Sequence, residues 1–301
     1  MSVGYAPAQP LTVTERVGQT AAILRRRGYA LPPARLAQLC LGGAIAESDV
    51  RAAVAASREL TIAEGLVVER EAAPAATEIA RRAGAHAEDA PVYLQLALSF
   101  VRTLVGVAPF IRCVSIAGSL ASGGFRASDD IDLNLIVDDG HRHLAYVAVN
   151  LLGLVHALGH RNKPVDDLTR RPLAPRLMTA NLILERSQCF PLARQDEDMA
   201  FELMVAQPVF GLDVLHDVVA ANPRLTEHFP QLRARTGQLA ITPPRRRLPS
   251  ALYPRALDGM ARLVGESAWR YMQWTRRRRP DALARVAYVR STMRPYTLFD
   301  R

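Results

Sequence analysis

Residues 115–137 read SIAGSLASGGFRASDDIDLNLIV, and the reading of this stretch decides the fold. The apolar run Cys113, Val114, Ser115, Ile116 and Ala117 has the length and composition of a buried strand. Gly118-Ser119 offers it a tight exit, and Ser122-Gly123-Gly124 a flexible crossing, before residues 131–137 predict a second strand. Side chains alternate along a strand, so Asp130 and Asp132 point one way while Ile131, Leu133 and Leu135 point into the opposite layer. Two carboxylates sharing one small space repel unless a cation lies between them, and paired hard oxygens suit Mg2+. Mg2+ is held by one or two carboxylates plus substrate phosphates, so a nearby phosphate cradle would make the pair a site of phosphoryl chemistry. Gly118-Ser119 is the candidate cradle. Small residues permit close backbone approach, exposed amides suit an anion, and the serine hydroxyl adds a donor.

Gly118-Ser119, ten further residues and then Asp130-Ile131-Asp132-Leu133 resemble the Gly-Ser…Asp-x-Asp signature of the nucleotidyltransferase superfamily, which includes DNA polymerase β, the aminoglycoside nucleotidyltransferases and the CCA-adding enzymes. Beyond that core, the chain resembles a bacterial and archaeal family of nucleotidyltransferase-domain proteins. This wider likeness rests on Pro109-Phe110-Ile111-Arg112, Gly118-Ser119-Leu120-Ala121, Ala180-Asn181-Leu182-Ile183-Leu184, Ala200-Phe201-Glu202 and Gln207-Pro208. The resemblance implies an α+β fold, a polymerase β-like mixed sheet with helices. It implies a winged-helix-like domain over residues 1–72, a helical linker over 73–90, the nucleotidyltransferase core over 91–190 and a C-terminal helical region over 191–301. The implied activity is transfer of a nucleotidyl group from a nucleoside triphosphate to a hydroxyl or amine, with pyrophosphate release. The acceptor is expected to be a small molecule rather than RNA or protein. A non-catalytic nucleotide- or nucleic-acid-binding regulator is the alternative. Asp130 and Asp132 are the expected ligands of Mg2+ or Mn2+, and Gly118, Ser119, Ser122, Arg126 and Lys163 the expected nucleotide contacts.

In the superfamily a third acid often stands on a following strand. Here the candidate strand is LMTANLILER, residues 177–186. Period two puts Met178, Ala180, Leu182 and Leu184 on its apolar face and Thr179, Asn181, Ile183 and Glu185 on the other. Asn181 therefore holds the expected place of the acid. It can orient a hydroxyl or water but cannot take a proton at neutral pH, whereas Glu185 could if its strand end reached the metal. Asn181 and Glu185 complete the catalytic candidates. Glu202 falls on a helix predicted over residues 196–206, where a helix-surface or capping role outweighs a nucleotide contact.

The rest of the chain frames this site. Its formal charge of +9 is carried almost wholly by arginine, Lys163 being the single lysine. Basic residues gather from Arg245 onward and around Arg170-Arg171, which suits an anionic partner and equally a solvated surface. A polar loop over residues 161–175 could grip a triphosphate. Three scattered cysteines in apolar surroundings read as core thiols and point to the cytoplasm. The first residues lack a basic head followed by an apolar core, and no stretch is expected to reach membrane-spanning length, so no membrane partner is expected. Three helices and a strand near the N-terminus give the outline of a winged helix. The segment 33–41 carries only Arg35 as a cation, so DNA binding is the less favoured reading. Residues 92–105 predict a buried helix. Residues 141–158 predict a helix with Leu144, Val147, Leu151, Leu154 and Leu158 on its apolar face. A long helix over residues 254–276 carries an apolar and aromatic stripe from Leu257 to Trp274, expected to pack on the bundle or a second subunit.

Overall fold

The two strands around the acidic turn form the middle of a four-stranded mixed sheet in the computed structural model, which describes residues 11–160, 163–164, 177–278, 280–293 and 295–299. The chain begins with α1 (Val13–Arg26), α2 (Pro33–Gln38), α3 (Glu47–Ala56) and a hairpin of β1 (Leu60–Ala63) and β2 (Leu66–Glu69). Thr12 starts α1 with a capping box: its hydroxyl accepts from the Glu15 amide at 3.3 Å and the Glu15 carboxylate accepts from the Thr12 amide at 2.7 Å. Leu31, between α1 and α2, bridges back to Val67. Next come α4 (Ala76–Val107), β3 (Ile111–Ala117), α5 (Gly118–Ser122), β4 (Ile131–Val137), α6 (Arg142–Leu158) and β5 (Met178–Glu185). The remainder is α7 (Glu197–Val205), β6 (Gln207–Phe210), α8 (Leu212–Ala221), α9 (Pro223–His228), α10 (Ala256–Arg276) and α11 (Pro280–Met293).

The strand order is β5-β4-β3-β6; β3 runs antiparallel to β4 and to β6, and β4 runs parallel to β5. Helices cover both faces, as the mixed α and β composition requires of a sheet whose central strands are apolar throughout. On one face Ile131, Leu133, Leu135 and Val137 pack with Phe100, Leu104 and Val149 of α4 and α6. On the other, Ile136, Leu182 and Leu184 join Phe201 of α7, Phe229 after α9, and Val17, Leu24 and Leu36 of the N-terminal unit in one continuous apolar cluster. The N-terminal helices therefore share a core with the sheet.

Several expectations need correcting. Residues 76–90 of the expected linker and the buried helix after it are one continuous 32-residue helix, α4. With the 3-10 turn before it, α4 is long and apolar enough, by length and composition, to cross a membrane, contrary to the expectation that no stretch reaches that length. Its last turns bury Ala97, Phe100, Val101, Leu104 and Val105 inside the protein. Gly118-Ser119 is not a bare turn but the start of the single-turn helix α5. On α6 the buried side is Ala145, Tyr146, Val149, Gly153 and Ala157, while Leu151, Leu154 and Leu158 are exposed. The α10 stripe likewise leaves Met260, Leu263, Val264, Tyr271 and Trp274 exposed in this chain. β6 was hidden by Pro208, which an edge strand tolerates because one row of its amides needs no partner.

Candidate functional site

β4 carries Asp132 one residue into the strand, and Asp130 lies just before it. Asp132 pairs in register with Ala117 on β3 and with Thr179 on β5, so the strand end delivers it between the close of β3 and the opening of β5. Thr179 donates its hydroxyl to Asp132 Oδ1 at 2.7 Å and fixes that oxygen. The other oxygen faces Gly118: a Cβ built there would meet Asp132 Oδ2 at 2.0 Å, and Gly118 has φ +61, a conformation that disfavours a side chain. The glycine is therefore required by the carboxylate as well as by the turn.

The Ser119 hydroxyl donates to Asp129 Oδ2 at 3.1 Å, an oxygen that also accepts from the Arg126 amide at 3.1 Å. Asp129 thus organises the crossing loop, a role the sequence reading missed because Asp129 stands outside the Asp-x-Asp spacing. Ser122 closes α5, donating to the Ser119 carbonyl at 3.4 Å, and Gly123 follows with φ +98 as its left-handed cap. Lys163 is buried; its ammonium donates to the Asp129 carbonyl at 2.7 Å and lies 5.9 Å from the Tyr93 ring centre. Arg126 pairs with Glu78 of α4. The Phe125 amide donates to His86 Nδ1 at 3.3 Å, and the Phe125 and Tyr93 rings lie 4.8 Å apart. Arg126 and Lys163, expected as nucleotide contacts, both brace the loop carrying Asp129 and Asp130. Asp166, Asp167, Arg170 and Arg171 lie outside the described residues.

The third-acid position holds an amide network. Strict alternation fails on β5, because Leu133 pairs with Ala180 and Asn134 with Leu182, leaving Asn181 as an extra residue in a bulge. Leu182 and Leu184 therefore join the α7 side of the sheet and Ile183 the α4–α6 side, the reverse of the period-two reading. Asn181 Nδ2 donates to Asn134 Oδ1 at 3.0 Å and to Glu202 Oε1 at 3.1 Å, and Asn134 Nδ2 donates to the same oxygen at 3.0 Å. Arg27 Nη1 reaches Glu202 Oε2 at 2.5 Å. Glu202 is buried, not a surface or capping residue of α7. Burial, the largest single influence, would lower the pKa of Arg27, but the facing Glu202 carboxylate together with Tyr29 and Asp198 outweighs it and holds the pKa above its ordinary value.

Glu185 does not join the site. Parallel pairing sets it opposite Val137, at the far end of the strands from Asp132, and its carboxylate accepts from the Gly140 amide at 2.9 Å. Its place at the strand end rules out the base role that alternation alone left open. At the end of α6, His156 packs edge-on against Phe100 and His160 Nδ1 lies 3.0 Å from the His156 carbonyl.

Among the described residues no group of three or more His, Cys, Asp or Glu is set to hold a metal. Of the two aspartates, Asp132 is oriented by Thr179 and given room by Gly118. No family model matches the chain, no curated protein matches it, and no solved structure matches it.

Proposed function

We propose that the protein is a metal-dependent nucleotidyltransferase with a polymerase β-like core and a winged-helix-like N-terminal unit. The observation that carries the reading is the Gly118–Asp132 contact, since it ties the small-residue motif to the acidic motif in one rigid corner. Asp130 and Asp132 would hold Mg2+ or Mn2+, which when bound supplies charge neutralisation along the triphosphate. Gly118 and Ser119 would receive the β- and γ-phosphates, with the Ser119 hydroxyl exchanging Asp129 for phosphate. An acceptor hydroxyl or amine, on a small molecule, would form the new bond to the α-phosphorus while the α–β anhydride breaks and pyrophosphate leaves. The chain's own work is orientation: Thr179 fixes the Asp132 carboxylate, while Lys163, Arg126 and His86 fix the loop that carries Asp130.

A specific observation favours a second reading, a nucleotide-binding regulator without turnover. Where a third acid would take the acceptor's proton, Asn181 is committed to Asn134 and Glu202, and Glu202 to Arg27. Screening the four nucleoside triphosphates with Mg2+ or Mn2+ for binding, and for pyrophosphate release with hydroxyl and amine acceptors, separates the two. Binding with release supports transfer, and binding without release supports the regulator. No binding by the wild type, or full release by Asp132→Ala, would overturn the assignment.

A further inference from the structure

We propose that Arg27 of the N-terminal unit is a positioning residue of the candidate site, which is complete only with that unit docked; the proposal takes its functional meaning from the nucleotide-binding reading. α1 ends at Arg26 with Arg27 as its C-cap, and Gly28, with φ +79, turns the chain away. Arg27 reaches α7. Its Nη1 bonds Glu202, its Nη2 donates to the Asp198 carbonyl at 2.9 Å, and its guanidinium lies 5.2 Å from the Phe201 ring centre. Through Glu202 Oε1 that contact sets both side-chain amides beneath Asp132, those of Asn134 and Asn181.

The joint is built to stay closed. Glu202 is buried, and a buried carboxylate that lost its guanidinium would keep only neutral amide donors, an arrangement that low-dielectric surroundings penalise heavily. The surrounding apolar cluster runs without interruption from Val17 and Leu24 through Phe201 to Leu182. A winged-helix-like unit tied down in this way is a wall of the site, not a module swinging on a linker.

Hydrogen exchange on the full chain tests this, read at residues 179–183, alongside titration with each nucleoside triphosphate and Mg2+. Because Arg27→Ala leaves a buried charge and can fail to fold, the variant is Arg27→Met combined with Glu202→Gln, expected to raise exchange in residues 179–183 by about tenfold, the scale of one lost hydrogen bond, and to weaken nucleotide binding by a similar factor. Arg27→Lys should retain part of the protection. Arg25→Ala, which removes an exposed pair with Glu69, should leave the segment unchanged. Unchanged exchange in residues 179–183, or a rise spread evenly over the whole chain, would overturn the proposal whatever the nucleotides do. Local rises in a protein whose wild type binds no nucleotide would uphold the positioning and overturn the nucleotide reading instead.

Discussion

Gly118 and Asp132 touch across the end of the sheet: the missing side chain of one is the space used by the carboxylate of the other. A Cβ on Gly118 would stand 2.0 Å from Oδ2 and 2.8 Å from Cγ of Asp132. Glycine is needed twice over, for the left-handed φ of +61 and for the carboxylate that fills the gap.

Gly118→Ala should therefore be among the most damaging single-atom additions in the chain. Backbone strain and overpacking together should destabilise the fold by roughly 2–4 kcal/mol. Urea unfolding measures this. If the protein relieves the clash by swinging Asp132 away instead, stability is regained and metal-dependent nucleotide binding is lost. A variant with wild-type stability and wild-type binding would contradict the contact.

Thr179 gives a gentler lever on the same carboxylate. Its hydroxyl donates to Asp132 Oδ1 at 2.7 Å, a hydrogen bond to a charged group worth about 1.5–3 kcal/mol. Thr179→Val keeps the shape and removes the donor, so Mg2+-dependent nucleotide binding should fall by about tenfold or more. Thr179→Ser should retain most of it. Calorimetric titration of the two variants side by side checks the expectation, and equal affinities would show that Asp132 is oriented without the hydroxyl.

Much of this corner was legible in the sequence because it is local. β4 shows alternation that names its own faces, and a glycine next to a serine before two spaced aspartates is a short-range pattern. What was not legible depends on pairing between distant segments. The bulge at Asn181 shifts the phase of β5, and no property of LMTANLILER announces it. Thr179 gained meaning only from its register opposite Asp132. Glu202 was misread because α7 is buried from Met199 to Met204, so its hydrophobic periodicity does not say which side meets the sheet. β6 looked unlike a strand because Pro208 stands in it, and only its place at the sheet edge makes that acceptable.

Glu185 supplies a negative expectation. It stands at the far end of β5 and holds the Gly140 amide. Glu185→Gln should leave metal-dependent nucleotide binding and any pyrophosphate release at the wild-type level, with a stability loss of about 1 kcal/mol or less from the weakened hydrogen bond. A large loss of turnover with binding intact would bring back the base role that the strand register removes.

The loop carrying Asp129 and Asp130 should respond to acid through His86. Burial on α4 pulls the His86 pKa below the ordinary 6.5, so the folded protein binds this proton less readily than the unfolded chain does. Its contribution to stability is therefore fully present above pH 6.5 and is lost as the pH falls through the depressed value. The local cause is visible, since His86 Nδ1 is the acceptor for the Phe125 amide at 3.3 Å and a protonated Nδ1 cannot accept. Acidification should free that amide, a hydrogen bond worth about 0.5–1.5 kcal/mol, and raise its hydrogen exchange beyond the ordinary pH dependence of the intrinsic rate. His86→Gln, which offers an acceptor that does not titrate, should flatten the profile over the same range. If the variant follows the wild-type profile, the acid sensitivity of the loop belongs to another group.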